Sequence, residues 1–209
     1  MPRIYDITPP VTGDLAVWPG DSPPSREVLL DLARGDNITL STLHATVHLG
    51  AHADAPSHYG RSGASIEARP LDPYLGRCRV IHADVSPGER VPANVLPSDL
   101  EVHRVLFRTG TYPDPTRFAE DYAALSVELL DRAHAAGVRL VGIDTPSVDT
   151  FESKDLPAHA RCLEHDLAIL EGLVLDAVPA GPYELIALPL PLVGFDASPV
   201  RAILRTLED

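Results

Sequence analysis

Short apolar runs bounded by proline, glycine or aspartate dominate the pattern of hydrophobic and polar positions in this chain. Runs of this kind are typical of buried β-strands. They predict strands over residues 4–7, 80–85, 105–108, 138–143, 173–178 and 185–188. Two further segments, 26–32 and 38–47, are rich in alternating or β-branched residues and flank the turn residues Arg34-Gly35-Asp36-Asn37. This arrangement predicts a β-hairpin.

Helical signals occur twice. Ser126 is a favourable N-cap, the apolar residues after it follow a helical spacing, and Gly137 ends the pattern, so a helix is predicted over 127–136. Ser198-Pro199 is a second start signal, and it predicts a C-terminal helix whose apolar stripe contains Val200, Ile203, Leu204 and Leu207. Strands thus come first, followed by alternating helices and strands. The pattern predicts an α/β domain with a mixed sheet that is curved or barrel-like.

Length and composition favour one globular domain over residues 1–209. The chain is 44% hydrophobic and 22% charged, it lacks internal repeats and linker-like segments, and its length is within the range of a single core. Its 21 prolines are about twice the average frequency, which favours rigid turns and short helices.

Net charge, hydropathy and cysteine content argue against several classes of protein. A net charge of −13 repels phosphate backbones, so nucleic-acid binding is disfavoured. No apolar run approaches the roughly 18 residues of a membrane-spanning helix, and the first residues lack a secretory signal, so a cytoplasmic location is expected. Cys78 and Cys162 form no C-x-x-C pair, which predicts two reduced, partly buried thiols.

The candidate chemistry is concentrated in residues 48–59, which hold three histidines and an aspartate. Zinc binds imidazole nitrogen and carboxylate oxygen at about 2.0–2.2 Å, so its ligands must converge. On an extended chain His52 and Asp54 share one face, with roughly 6.6 Å between their Cα atoms. Gly50 is predicted to bend the chain and bring His48 to the same place, and Pro56 to direct His58 separately. The segment therefore predicts a metal site.

A second candidate pair is His159 and Glu171. On one straight helix these residues would lie about 18 Å apart, too far to share a metal ion, so a helix must end between them. The residues alone leave open whether this pair binds metal or belongs to a solvated helix face. The remaining histidines are expected to be ordinary hydrogen-bonded or solvated side chains: His44, His82, His103, His134 and His165.

Residues 48–58 resemble the H-x-G-[TA]-H-x-D-x-P-x-H signature of the cyclase-like metal-dependent amidohydrolases. Segments 5–11, 17–21, 142–149, 168–176 and 183–190 are similar to the kynurenine formamidase branch of that family, so the resemblance extends over nearly the whole chain. Ala51 stands where threonine is more usual in the family. The resemblance implies a swivelling β/β/α fold, a homodimer, and hydrolysis of N-formyl-L-kynurenine to L-kynurenine and formate.

The same resemblance implies a role for each candidate residue. His48, His52 and Asp54 match ligands of a first zinc ion, and Asp54 also matches a bridge to a second. His159 matches a ligand of that second ion, and Glu171 a residue that touches both. His58 matches the catalytic acid/base. Trp18, in a loop rich in proline and glycine, matches an aromatic side chain that contacts the substrate.

Two other functions remain open from the sequence. One is a ring-opening amidohydrolase of the same family that acts on a cyclic aryl amide such as isatin. The other is a non-catalytic protein that uses the cluster for structural zinc. A structural zinc site is normally closed by four ligands, whereas this set leaves His58 beside the site without a ligand role, which favours an enzyme.

Overall fold

The computed structural model describes residues 1–207. Its strands, in chain order, are β1 (Ile4–Asp6), β2 (Ser25–Leu30), β3 (Leu40–His44), β4 (His52–Asp54), β5 (Leu75–His82), β6 (Arg90–Val91), β7 (Arg104–Arg108), β8 (Ala124–Leu125), β9 (Leu140–Ile143), β10 (Ala168–Glu171), β11 (Gly181–Ile186), β12 (Ala197–Pro199) and β13 (Ile203–Thr206). The α-helices are α1 (Pro56–Tyr59), α2 (Val127–Ala135) and α3 (Pro157–Glu164). Short 3₁₀ turns cover Leu32–Arg34, Ile66–Ala68, Asp72–Tyr74 and Ala93–Val95.

Nine strands form one mixed sheet in the order β1-β13-β11-β5-β7-β9-β10-β4-β12. The central strands β5, β7, β9 and β10 are parallel, and the other pairs are antiparallel. The sheet is strongly curled into a half-barrel, which confirms the predicted α/β domain with a mixed, curved sheet. The strands β2 and β3 pair only with each other, which confirms the predicted hairpin.

The two faces of the sheet bury two separate apolar clusters, because successive strand residues point to opposite faces. On β7, Leu106 belongs to one cluster, whereas Val105 and Phe107 belong to the other. The second cluster also contains Leu129 of α2 and Cys162 of α3. The two longer helices therefore cover one face of the parallel centre.

The helix predicted from Ser126 is α2, one residue shorter than expected. The Ser126 side chain accepts a hydrogen bond from the backbone N–H of Leu129 at 3.1 Å, as an N-cap does. After the helix, Gly137 adopts φ 84°, a conformation that glycine reaches without steric cost.

The predicted C-terminal helix is wrong. Residues 197–199 form β12 beside β4, and residues 203–206 form β13 between β1 and β11. Val200 and Leu204 are buried in the same core cluster, but they reach it from separate extended segments. Strand pairing with β4, β1 and β11 in the folded sheet overrides the weak helical spacing.

The predicted strand over residues 173–178 is also wrong. The strand is β10, at 168–171, and the chain then leaves the sheet in a turn at Gly172, whose φ is 65°. Leu173, Leu175 and Val178 are nevertheless buried, which explains the apolar run. In this loop the Val174 N–H donates to the carbonyl of Ile7 at 2.9 Å instead of pairing in a ladder.

Two composition-based expectations can be compared with the structure. Within residues 1–207 no helix has the length and apolar content needed to cross a bilayer. Cys78 and Cys162 are both buried free thiols, as predicted.

Candidate metal centre

The site forms around β4, which lies between β10 and β12 and is buried throughout. Its three residues are extended, so the His52 and Asp54 side chains share one face, as predicted. The antiparallel register with β10 places Glu171 opposite His52. The Glu171 Oε2 atom is consequently 3.3 Å from His52 Nε2.

Asp54 lies at the centre of the cluster. Its Oδ1 atom is 3.1 Å from His48 Nδ1 and 3.4 Å from His52 Nε2, while its Oδ2 atom is 3.4 Å from His159 Nε2. Glu171 Oε1 is 3.6 Å from the same His159 nitrogen. The fold therefore brings together all five residues that the resemblance assigned as metal ligands.

The backbone turns at Gly50 to bring His48 to the cluster. Gly50 has φ 54°, which is in the left-handed region, and the chain bends at this residue before β4 begins. The Gly50 carbonyl also accepts a hydrogen bond at 2.8 Å from Nδ1 of His52. This contact fixes the proton on Nδ1 and leaves Nε2 of His52 to face the carboxylates.

His159 reaches the cluster from the first turn of α3, which ends at Glu164, well before Glu171. The helix therefore ends between His159 and Glu171, as their spacing required. Ring Nδ1 of His159 lies 3.0 Å from Asp149 Oδ2, and the same oxygen accepts the His159 backbone N–H at 3.0 Å. A metal-binding histidine typically donates its other ring N–H to a carboxylate in this way.

The unsatisfied atoms of the cluster fit a metal ion. His52 Nε2, His159 Nε2 and both carboxylate oxygens of Asp54 are buried without a hydrogen bond of acceptable geometry. Buried polar atoms are nearly always satisfied, and these are nitrogen and oxygen atoms of the types that bind divalent cations. The donor set therefore fits a cation at this position.

The charges of the cluster lead to the same conclusion. Burial opposes protonation of His52, but the Asp54 and Glu171 carboxylates outweigh it and raise its pKa to about 10. Burial likewise opposes protonation of His159, and Asp149 and Asp54 raise its pKa to about 10. Burial disfavours the ionised form of Asp54, yet the surrounding histidines hold its pKa well below the usual value. The buried carboxylates thus require positive charge, from imidazolium protons or from a metal ion that displaces them.

Two overlapping groups of ligand atoms meet within 4.8 Å: one from His48, Asp54 and His58, and one from His52, Asp54 and Glu171. Asp54 belongs to both groups, as a bridging residue would. His58 is close enough to take a ligand position, so its assignment as acid/base rests on the resemblance. It lies on the one-turn helix α1, which Pro56 begins, and its Nδ1 is 3.4 Å from Asp196 Oδ2.

A cavity of about 500 Å³ opens over the cluster. His48, His52, His58, His159 and Glu171 all contribute to its lining. The loop that contains Trp18, a residue that is 38% exposed, also lines the cavity. The Trp18 ring packs against Phe118 and Phe151, with centroids 5.5 and 5.2 Å apart. The predicted substrate-facing tryptophan therefore lines the cavity.

Sequence reasoning missed two carboxylates that support the site. Asp149 holds His159 and the start of α3, and Asp196 contacts both His48 and His58. Asp149 stands within a segment that carried the resemblance, but nothing in its spacing linked it to His159. Asp196 follows Phe195 in a segment without any metal-ligand pattern. Both contacts join residues from separate elements of the fold.

Comparison with known proteins places this geometry in a family. The Cyclase family model matches residues 5–150. The solved structure of a potential metal-dependent hydrolase with cyclase activity covers 100% of both chains, at 27% identity and TM-score 0.84. That of a predicted metal-dependent hydrolase from Bacillus stearothermophilus covers 99% of this chain and 100% of its own, at 27% identity and TM-score 0.82.

More distant structures share the fold. Isatin hydrolase A from Labrenzia aggregata is 22% identical, with TM-score 0.77, over 99% of this chain and 94% of its own. Together with the donor set, the relatives support a metal cofactor and a hydrolase. The chain therefore belongs to the Cyclase family and has the fold of its metal-dependent hydrolases.

Proposed function

We propose that this protein hydrolyses N-formyl-L-kynurenine to L-kynurenine and formate, with two zinc ions per chain. The observation that carries the proposal is the convergence of five ligand residues beside a cavity that Trp18 also lines. His48, His52 and Asp54 would hold one ion. Asp54, His159 and Glu171 would hold the other ion. Glu171 also lies within reach of His52 and Asp54, two of the ligands of the first ion.

Zinc at this position supplies Lewis-acid polarisation of the formyl carbonyl and makes a water molecule more acidic. The protein's own contribution is to fix the ligands before substrate arrives. Asp149 holds His159, the Gly50 carbonyl holds His52, and the ladder between β4 and β10 holds Glu171. A rigid donor set of this kind needs little rearrangement during the reaction.

His58 is proposed to move the proton. Imidazole exchanges protons near neutral pH, so it can accept a proton from the attacking water and donate it to the departing aryl amine nitrogen. Its Nδ1 faces Asp196, which leaves Nε2 for this exchange, and the residue lines the cavity.

Trp18 is proposed to bind the aromatic ring of the substrate. Its contacts with Phe118 and Phe151 hold the indole at the cavity wall, so little conformational freedom is lost when a ligand ring packs against it. The homodimer and the cytoplasmic location remain predictions.

A second candidate substrate is a cyclic aryl amide such as isatin. The observation in its favour is the same Trp18 ring in the cavity lining, which suits a fused ring as well as an open-chain aryl amide. The metal ligands and His58 would serve both reactions, so only the shape of the cavity discriminates between them. The non-catalytic alternative is weakened by the open cavity beside the ligands.

The test is to assay one preparation of purified protein with N-formyl-L-kynurenine and with isatin. We expect hydrolysis of the formyl substrate, loss of activity after exhaustive chelation, recovery with zinc, and about two zinc ions per chain by elemental analysis. Preferential isatin hydrolysis would support the second candidate. Zinc binding without turnover of either substrate would support the non-catalytic protein, and turnover by protein shown to be metal-free would refute the mechanism.

A further inference from the structure

Asp196 is fixed beside the candidate centre by the backbone on both of its sides. Its carbonyl accepts a hydrogen bond from the Ala55 N–H at 2.8 Å. The next residue, Ala197, begins β12 and pairs with Asp54 in the antiparallel ladder with β4. Asp196 is therefore held in register with the strand that carries two of the proposed ligands, although it lies far from them in sequence.

One oxygen of Asp196 faces two histidines. Oδ2 is 3.1 Å from His48 Nε2 and 3.4 Å from His58 Nδ1, and the two imidazole rings lie 4.3 Å apart. A carboxyl group is ionised at neutral pH, so Asp196 acts as an acceptor there. An ionised carboxylate accepts hydrogen bonds and donates none, so a ring nitrogen that hydrogen-bonds to it must carry a proton. His48 Nδ1, by contrast, only approaches Asp54, whose oxygens have no hydrogen-bond partner of acceptable geometry.

This assignment determines the tautomer of both rings when they are neutral. With its proton on Nε2, His48 presents an unprotonated Nδ1 to Asp54, the side on which a cation would bind. With its proton on Nδ1, His58 has an unprotonated Nε2, the form that a general base requires. Loss of the carboxylate would leave both rings free to change tautomer and orientation.

We infer that Asp196 is a positioning residue that sets the tautomer and orientation of His48 and His58 together, and so couples metal binding to proton transfer. The part of this inference that concerns proton transfer by His58 rests on the proposed function. The part that concerns metal binding depends only on the geometry of His48. Carboxylates that orient metal-binding histidines are typically worth about 10- to 100-fold in affinity or activity.

The test compares Asp196→Ala and Asp196→Asn with the unchanged protein. In Asp196→Ala we expect zinc affinity, measured by competition with a chromophoric chelator, to fall about 10- to 100-fold. At saturating zinc, kcat should fall by a similar factor while KM changes little, because a misaligned base affects the transition state more than substrate binding. Asp196→Asn keeps an acceptor oxygen of nearly the same shape, so it should recover part of both losses and serves as the folded variant if alanine is not tolerated.

Nitrogen-15 NMR of the imidazole rings in the zinc-loaded protein gives a readout that a purely structural role would not change. We expect His58 protonated on Nδ1 in the unchanged protein and a mixture of tautomers in Asp196→Ala. Glu27→Gln is the matched control, because Glu27 also contacts a histidine, His44, at 3.1 Å, but on the exposed hairpin. This variant should leave zinc affinity, kcat and the His58 tautomer unchanged.

The outcomes separate this inference from the proposed function. If the unchanged protein hydrolyses neither substrate, the proposed function fails, while zinc affinity and ring tautomers still test Asp196. Unchanged zinc affinity and unchanged His58 tautomer in both Asp196 variants would overturn the inference. A fall in zinc affinity without any change at His58, or the reverse, would also overturn it, because the claim is that one carboxylate sets both rings.

Discussion

Replacing Asp149 with alanine should weaken the fold and the metal centre together. The fully buried carboxylate accepts hydrogen bonds from the backbone N–H groups of Ala158 and His159 at 3.0–3.1 Å, and from ring Nδ1 of His159. It also pairs with Arg90 at 3.1 Å. Leu156 precedes α3 with φ 44° and no capping side chain, so Asp149 caps this helix from outside it.

The size of the effect follows from these contacts. Loss of a helix cap costs about 0.5–2 kcal/mol. Removing one partner of a buried ion pair costs about 3–5 kcal/mol, and the low end applies here because the Arg90 side chain is 30% exposed and water can solvate it. Because these contributions overlap, we expect the free energy of unfolding to fall by about 3–4 kcal/mol. For a chain of this length, that corresponds to a fall in Tm of about 6–16 °C.

The zinc affinity should fall as well, by about 10- to 100-fold, because the His159 ring loses the acceptor that fixes its tautomer. Thermal melts of metal-free protein measure the stability, and competition with a chromophoric chelator measures the affinity. Asp149→Asn should recover part of the helix cap but not the ion pair with Arg90. Asp155→Ala is the control, because Asp155 is exposed in the same connecting loop. A folded Asp149→Ala protein with unchanged zinc affinity would refute the assigned role.

Substitutions at four further positions probe other parts of the site. Gly172→Ala should lower the free energy of unfolding by at least about 2 kcal/mol and weaken zinc binding. Gly172 has φ 65°, and an added Cβ would overlap the Gly50 carbonyl oxygen that holds His52. A normal melting temperature and normal zinc content would contradict this. Trp18→Ala should raise KM roughly tenfold with little change in kcat, and Trp18→Phe should reverse much of the rise in KM. An unchanged KM in Trp18→Ala would show that the indole does not touch the substrate. His58→Ala should keep its zinc, but its kcat should fall about 100- to 10,000-fold. His52→Ala should lose zinc and activity together. Loss of zinc from a folded His58→Ala protein would instead make His58 a ligand.

Local sequence determined the features that depend on neighbouring residues. The turn at Gly50, the extended pair His52 and Asp54, and the capped helix after Ser126 all follow from backbone preferences within a few positions. The hairpin of β2 and β3 is local for the same reason. Because the motif over residues 48–58 is itself local, most of the candidate site could be recognised from the amino-acid sequence alone.

Local patterns failed where long-range pairing decided the conformation. Residues 198–207 carry helical spacing but contribute to β12, at one edge of the sheet, and form β13, between β1 and β11. Residues 173–178 are apolar enough for a strand, yet the chain turns at Gly172, and residues 173–176 line the cavity instead. In both cases some of the apolar residues are buried, namely Val200, Leu204, Leu173, Leu175 and Val178, but the predicted conformation is wrong. Hydrophobicity reports burial more directly than it reports backbone geometry.

Only the tertiary structure decided which residues support the candidate ligands. The β4–β10 register brings Glu171 to His52, and the first turn of α3 brings His159 to Asp54. Asp149 and Asp196 reach their histidines across separate elements, through side chains whose sequence neighbours carry no sign of the contact. Hydrogen bonds of this kind depend on where the folded backbone places each side chain, and a sequence pattern carries that information only for residues within one turn or strand of each other.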